Sequence, residues 1–133
     1  MRLPQDIANL LAVAIRDVIW YKRNVCRFLE HCEVPRPIVL EAQRMSSGTP
    51  TVKIVLHVLD RLANGGDEGF EAARRMLTNM YHWNDLHSGP PDRKRQAASS
   101  LEAFRNGYES YRSQQDYLRE SEKKMHAERV ERT

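Results

Sequence analysis

After Pro91 the sequence runs to Thr133 with no further proline and a single glycine, Gly107. Those two residues are the ones that most readily end or weaken a helix, so a stretch this long without them reads as one continuous helix. Ala97, Leu101, Phe104, Tyr108 and Tyr111 alternate spacings of four and three, which draws a seam along one side of it. Continued by the same count, the seam meets Gln115, Leu118, Glu122, Met125 and Arg129, and half of it has turned polar. A helix from about residue 90 to about residue 130 is roughly 60 Å long at about 1.5 Å per residue, more than a bundle built from the remaining residues can cover. The expected architecture follows: an all-α fold, a compact bundle of about five to six helices, with a long charged C-terminal helix projecting from it. Residues 1–113 form the bundle domain, and residues 114–133 form a helical extension or linker.

The extension interleaves five acidic and five basic residues and holds too few apolar side chains to bury. It reads as a solvated helix, a weak coiled coil, or a connector to something beyond it. If copies of the chain associate through it, Leu118 and Met125 are the candidate contacts.

The residues before Pro90 divide into shorter helices. Ile7, Leu10, Leu11, Ala14, Val18 and Tyr21 make one stripe, opened by Pro4. After a junction expected near Asn24, Val25, Phe28, Leu29 and Cys32 continue the spacing until Pro35 and Pro37 stop it. Ile38, Val39, Ala42 and Met45 form a third piece that dissolves at Ser46, Ser47 and Gly48. Thr49 and Pro50 supply a cap and a first helical residue for Val52, Val55, Leu56, Leu59 and Leu62. Asn64, Gly65 and Gly66 close that segment with a left-handed terminus, and Asp67 caps the next, whose inner face is Phe70, Ala73, Leu77, Met80, Tyr81 and Trp83. Nothing shows the sustained alternation of a strand.

A formal net charge of +3 from 21 basic and 18 acidic residues is too near balance to argue for nucleic acid by itself. Cys26 and Cys32, the only cysteines, lie six apart in one helical segment and cannot bridge each other there, so they read as free thiols. No signal segment is visible, because Pro4, Asp6, Asn9, Arg16 and Asp17 interrupt the first apolar run, and no run is long enough to span a bilayer. A cytoplasmic protein with no membrane partner is expected.

Chemistry-bearing clusters are few. His82, Asp85 and His87 invite a metal, but no two share the helical spacing that presents a ligand pair on one face, and no third histidine or cysteine follows nearby. His31, His57 and His126 stand alone, without a nucleophile to activate. Residues 46–49 and 64–67 are small-residue turns that lack the ending and the preceding strand of a phosphate loop. Ser88 to Asp92 fit a helix start, with Arg93, Lys94 and Arg95 on the surface of the helix that follows. The densest basic and aromatic patch is Trp20 to Phe28. Its rings are expected to pack in the core, with Tyr21 closing the first helix on the second. Lys22, Arg23 and Arg27 are left as a face for phosphate or an acidic protein.

The strings WYKRNVCRFLEHCEVP, residues 20–35, and TVKIVLHVLDRL, residues 51–62, resemble the N-terminal helical region of bacterial proteins that run through a charged helix into a restriction-endonuclease-like domain of the PD-(D/E)xK type. The likeness spans roughly residues 5–130 and rests on hydrophobic pattern and a few aromatic and basic positions. It implies a role in regulation, assembly or target sensing within an antiviral defence protein, with cleavage elsewhere. The nuclease signature itself is matched only superficially. Pro91-Asp92 and Glu122-Lys123-Lys124 fall on one expected helix about 45 Å apart, whereas two carboxylates must jointly hold magnesium. On this resemblance the chain lacks the family's nuclease core.

The functional expectation is a noncatalytic interaction, assembly or regulatory domain with no cofactor, metal or small-molecule substrate. Its partner is a protein, a second copy through the C-terminal helix included. The alternative is a nucleic-acid-binding helical domain using Lys22, Arg23, Arg27, Arg93, Lys94 and Arg95.

Overall fold

The computed structural model describes residues 2–86 and 89–131, with side chains described as far as residue 127. In chain order the elements are α1 (Gln5–Ile19), α2 (Lys22–His31), α3 (Arg36–Met45), α4 (Thr51–Ala63), α5 (Gly66–Tyr81), a 3-10 turn (Pro91–Arg93) and α6 (Lys94–Glu131). The described residues contain no strand, and the fold is all-α, a six-helix bundle with a long terminal helix.

Helix α1 is the hub. It lies mainly along α6 and α4 and also touches α2 and α5, while α3 joins α2 to α4 and α5 packs on both α4 and α6. A surface helix needs an apolar stripe on one side only. In α1 burial extends over Ile7, Ala8, Leu11, Ala12, Ala14, Ile15, Val18 and Ile19, and the three alanines let neighbouring helices come close. Around it Val25 and Leu29 of α2, Ile54 and Leu62 of α4, Met76, Leu77 and Met80 of α5 and Phe104 of α6 are fully buried. Fully burying a side chain of this kind contributes about 1.5–3 kcal/mol, which is where the bundle's stability chiefly lies.

Several local expectations are corrected. The first helix breaks at Trp20 and Tyr21, not near Asn24. Trp20 takes φ 66° and ψ −63°, and the Tyr21 amide donates to the Ile19 carbonyl at 2.8 Å, closing a three-residue turn. That turn puts Tyr21 outside the core, 48% exposed, where the sequence spacing had it closing α1 on α2. Trp20 is half-buried, whereas Phe28 is buried as expected. Pro37 opens α3 instead of ending α2, which terminates through Glu33 at φ 58°. Pro50 occupies the position before α4, so Thr49 is not its cap, and Asp67 sits within the first turn of α5, where its charge favours the helix dipole. Gly66 does adopt the left-handed conformation expected at this connection, with φ 67°.

Two arginines satisfy helix ends that the sequence left unexplained. Arg75 of α5 donates to the carbonyls of Cys32 and Glu33, at 2.6 and 3.3 Å, just past the end of α2. Arg105 of α6 donates to the Tyr81 carbonyl at 3.0 Å and to that of Trp83, closing the end of α5. Such carbonyls lack partners within their own helix, and a cation there also meets the negative end of the dipole.

The strongest polar tie is buried. Ser100 of α6 donates to Asp17 Oδ2 at 2.5 Å, and Arg16 donates to both carboxylate oxygens at 2.8 and 3.2 Å. Burial works to raise the Asp17 pKa, but hydrogen bonds from Arg16, Ser100 and Gln96 outweigh it and hold the group below the usual carboxylate range. Replacing Asp17 by Ala is expected to cost about 2–4 kcal/mol in urea denaturation at neutral pH. Because the folded pKa is depressed, the stability this group supplies is complete above its unfolded pKa of about 3.9 and is lost as pH falls through the lower folded value. Asp17→Asn should therefore be less stable than the parent at neutral pH and should lose less on acidification, as read from denaturation midpoints across that range.

Where α4 turns into α5 the backbones almost touch. A Cβ added to Gly69 would lie 2.1 Å from the Leu62 carbonyl oxygen, a backbone atom that cannot swing aside. Gly69→Ala is expected to destabilise by about 1–3 kcal/mol despite alanine's better helix propensity, a sign that thermal or chemical denaturation reads directly.

Candidate interaction surfaces

The structure brings together residues far apart in sequence at the α1–α2 junction. Arg93 stands over the Trp20 ring, with its Cζ 5.1 Å from the centroid. Gly89 closes against the same side chain, so that an added Cβ would lie 3.1 Å from Trp20 Cβ. The segment that leads into α6 is thereby docked on Trp20 at the α1–α2 junction. Lys22 and Arg23 occupy the first turn of α2, and Lys94 and Arg95 that of α6; neither turn holds an acidic residue. Cations there oppose the helix dipole at roughly 0.3–1 kcal/mol each.

Arg23, Arg27, Arg93, Lys94 and Arg95 are exposed and Lys22 is half-buried. Among the described residues none of the six forms an ion pair. Arg23 and Arg27, one turn apart, flank a shallow depression between α2 and α3 with Cys26, Glu30, Gln43 and Ser46. The two basic clusters thus flank the α1–α2 junction, Arg93 on Trp20 and Arg23 and Arg27 on the side facing α3. Nothing in the sequence announces the Trp20–Arg93 contact, because neither proline nor glycine marks residues 20–24 and the partners lie in different segments.

A second surface belongs to α6. Ala97, Ser100, Leu101 and Phe104 are buried against the bundle, Tyr108 and Tyr111 are half-buried, and from residue 112 to residue 127 every side chain but that of Ser121 is exposed. Tyr117, Leu118 and Met125 are 70%, 53% and 55% exposed. Leu118 and Met125 continue the seam at seven-residue intervals from Phe104 and Tyr111. Tyr117, which the seam count passes over, lies beside Leu118 in an apolar shallow with Ser113 and Gln114. At the root of the projection, α5 and α6 diverge around a groove of about 500 Å³, with Phe70, Leu77, Tyr108 and Tyr111 in its walls and Arg74, Arg112 and Arg119 among its polar residues.

The remaining ionisable clusters serve packing. Glu41 of α3 is held by His57 and Arg61 of α4, at 3.1 and 3.2 Å, and the His57 contact is the main reason its pKa is lowered. Tyr81 donates to Glu109 at 2.6 Å, which raises the phenol's pKa. No three His, Cys, Asp or Glu side chains converge as metal ligands among the described residues; His87, which the sequence places near His82 and Asp85, lies outside them. Nor is any helix of the described residues long and apolar enough to cross a membrane.

Cys26 and Cys32 are free and buried. Burial pushes the Cys32 thiol up to about 11, against the opposing effects of the Asn79 amide, which donates to its sulfur at 3.2 Å, and of Arg75. Since the thiolate is the reactive form, Cys32 should resist iodoacetamide in the folded protein at mildly alkaline pH and react rapidly in denaturant, as mass spectrometry of its peptide would show.

Compared with known proteins, the chain matches no family model, no curated protein and no solved structure.

Proposed function

We propose that this chain is a noncatalytic assembly domain whose projecting helix pairs with that of a second copy. The observation that carries this reading is the placement of apolar surface: of the five large hydrophobic residues exposed among the described ones, Tyr117, Leu118 and Met125 stand on the projecting half of α6. The chain's noncatalytic character is supported by the buried ionisable groups, Asp17 and Cys32, each of which is taken up by packing partners. A place at the head of a bacterial nuclease-type defence protein is supported by the sequence resemblance alone.

Sterics favour one orientation. Up to Tyr111 the seam is covered by the chain's own bundle, so a second helix running parallel on the same side would drive its own body into the first. An antiparallel partner places the two bodies at opposite ends. In that arrangement the exposed arms overlap beyond the covered seam, with Leu118 meeting Glu122 of the second copy and Gln115 meeting its Met125. Burying the exposed half of Leu118 and Met125 in both copies contributes on the order of 3–6 kcal/mol, against an association cost of on the order of 4–15 kcal/mol, so pairing is weak and concentration-dependent.

Light scattering over a concentration series should show a monomer–dimer equilibrium that Leu118→Glu combined with Met125→Glu abolishes while the melting temperature is kept. A strict monomer at the highest attainable concentration overturns the reading. Disulfide trapping separates the orientations: a Leu118→Cys chain mixed with a Glu122→Cys chain should give the mixed dimer, whereas efficient Glu122→Cys self-linking would mean parallel pairing.

A further inference from the structure

We infer that the corner formed by the α1–α2 junction and the first turn of α6 is a docking surface for single-stranded nucleic acid, held by its phosphates on Arg23, Arg27, Arg93, Lys94 and Arg95, with Tyr21 as a base-stacking ring. This surface is separate from the exposed half of α6 and does not depend on self-association.

Three observations carry it. The first is unspent charge close together. Arg2, Arg16, Arg61 and Arg74 are paired with carboxylates, and Arg75 and Arg105 with carbonyls, while Arg36, Lys53 and the cations of the projecting arm are exposed without an ion pair among the described residues. The five cations at this corner are exposed and form no ion pair among the described residues. Second, their position does not serve the fold: Arg23, Lys94 and Arg95 stand in first turns, where positive charge destabilises a helix.

The third observation is the aromatic pair. The turn at Trp20 turns Tyr21 out of the core, 48% exposed and immediately before Lys22 and Arg23. Trp20 in turn carries Arg93 on its ring, which ties the cations of α6 to those of α2 across the junction. An exposed aromatic ring set among cations suits unpaired bases, which offer a stacking face that a duplex hides.

The test is fluorescence anisotropy of the full chain with a labelled oligothymidylate. Five phosphate contacts give a salt slope of about −3.5, so affinity should fall about a hundredfold between about 50 and about 200 mM salt. Replacing Arg23 and Arg27 by Gln, or Lys94 and Arg95 by Gln, should each weaken binding at least about tenfold at low salt and reduce the slope by about 1.4. Tyr21→Ala should weaken binding about tenfold with the slope unchanged, and Tyr21→Phe should restore it. All of these side chains are exposed or half-buried, and equal melting temperatures confirm intact folds. The Leu118→Glu and Met125→Glu changes should leave binding unaltered, so failure here and failure of self-association are read separately. No binding at low salt, binding indifferent to these substitutions, or equal competition by polyglutamate or by duplex DNA overturns the assignment.

Discussion

Everything in this bundle is arranged around the burial of α1, and that burial carries a carboxylate with it. Asp17 lies between α1 and α6 with a side chain 1% exposed, and it is tolerable there only because Arg16 and Ser100 saturate it. An apolar contact slides at little cost. A short hydrogen bond to a buried charge does not, so Asp17 fixes the register of α6 against α1 as well as contributing stability. The rest follows from that register: Leu101 and Phe104 fall into the core, Arg105 reaches the end of α5, and the seam leaves the body after Tyr111.

The basic residues separate into two populations that composition alone merges. Arg75 and Arg105 are spent on helix ends, and Arg61 shares Glu41 with His57. Arg23, Arg27, Lys94 and Arg95 make no ion pair among the described residues, and Arg93 beside them lies over the Trp20 ring. A net charge near balance therefore coexists with a local surface that is strongly positive, because neighbours, and not totals, decide which charges remain available.

How much of this was legible in the sequence depends on the range of the interaction that decides it. The seam of α6, its projection and the left-handed Gly66 are local, written in spacing and in residue type, and they could be read directly. The break at Trp20 could not. A tryptophan at positive φ is costly and carries no sequence signature, so the periodicity ran on to Tyr21 and misplaced it in the core. Asp17 looked like an interruption of an apolar run because its partner Ser100 lies in another helix. Of the candidate surfaces, Leu118 and Met125 were visible from the seven-residue count. The basic residues were visible only as two separate strings, since it takes the Arg93–Trp20 contact to join them.

One consequence of the unbroken α6 is mechanical. The stretch from residue 112 to residue 131 is a stiff arm of about 30 Å at about 1.5 Å per residue, hinged on nothing softer than its packing against α1. A tilt of about 10° at its base sweeps the far end through about 5 Å, roughly one helical turn. The arm therefore amplifies: a repacking too slight to disturb the body becomes a displacement of the arm's outer residues by about one helical turn.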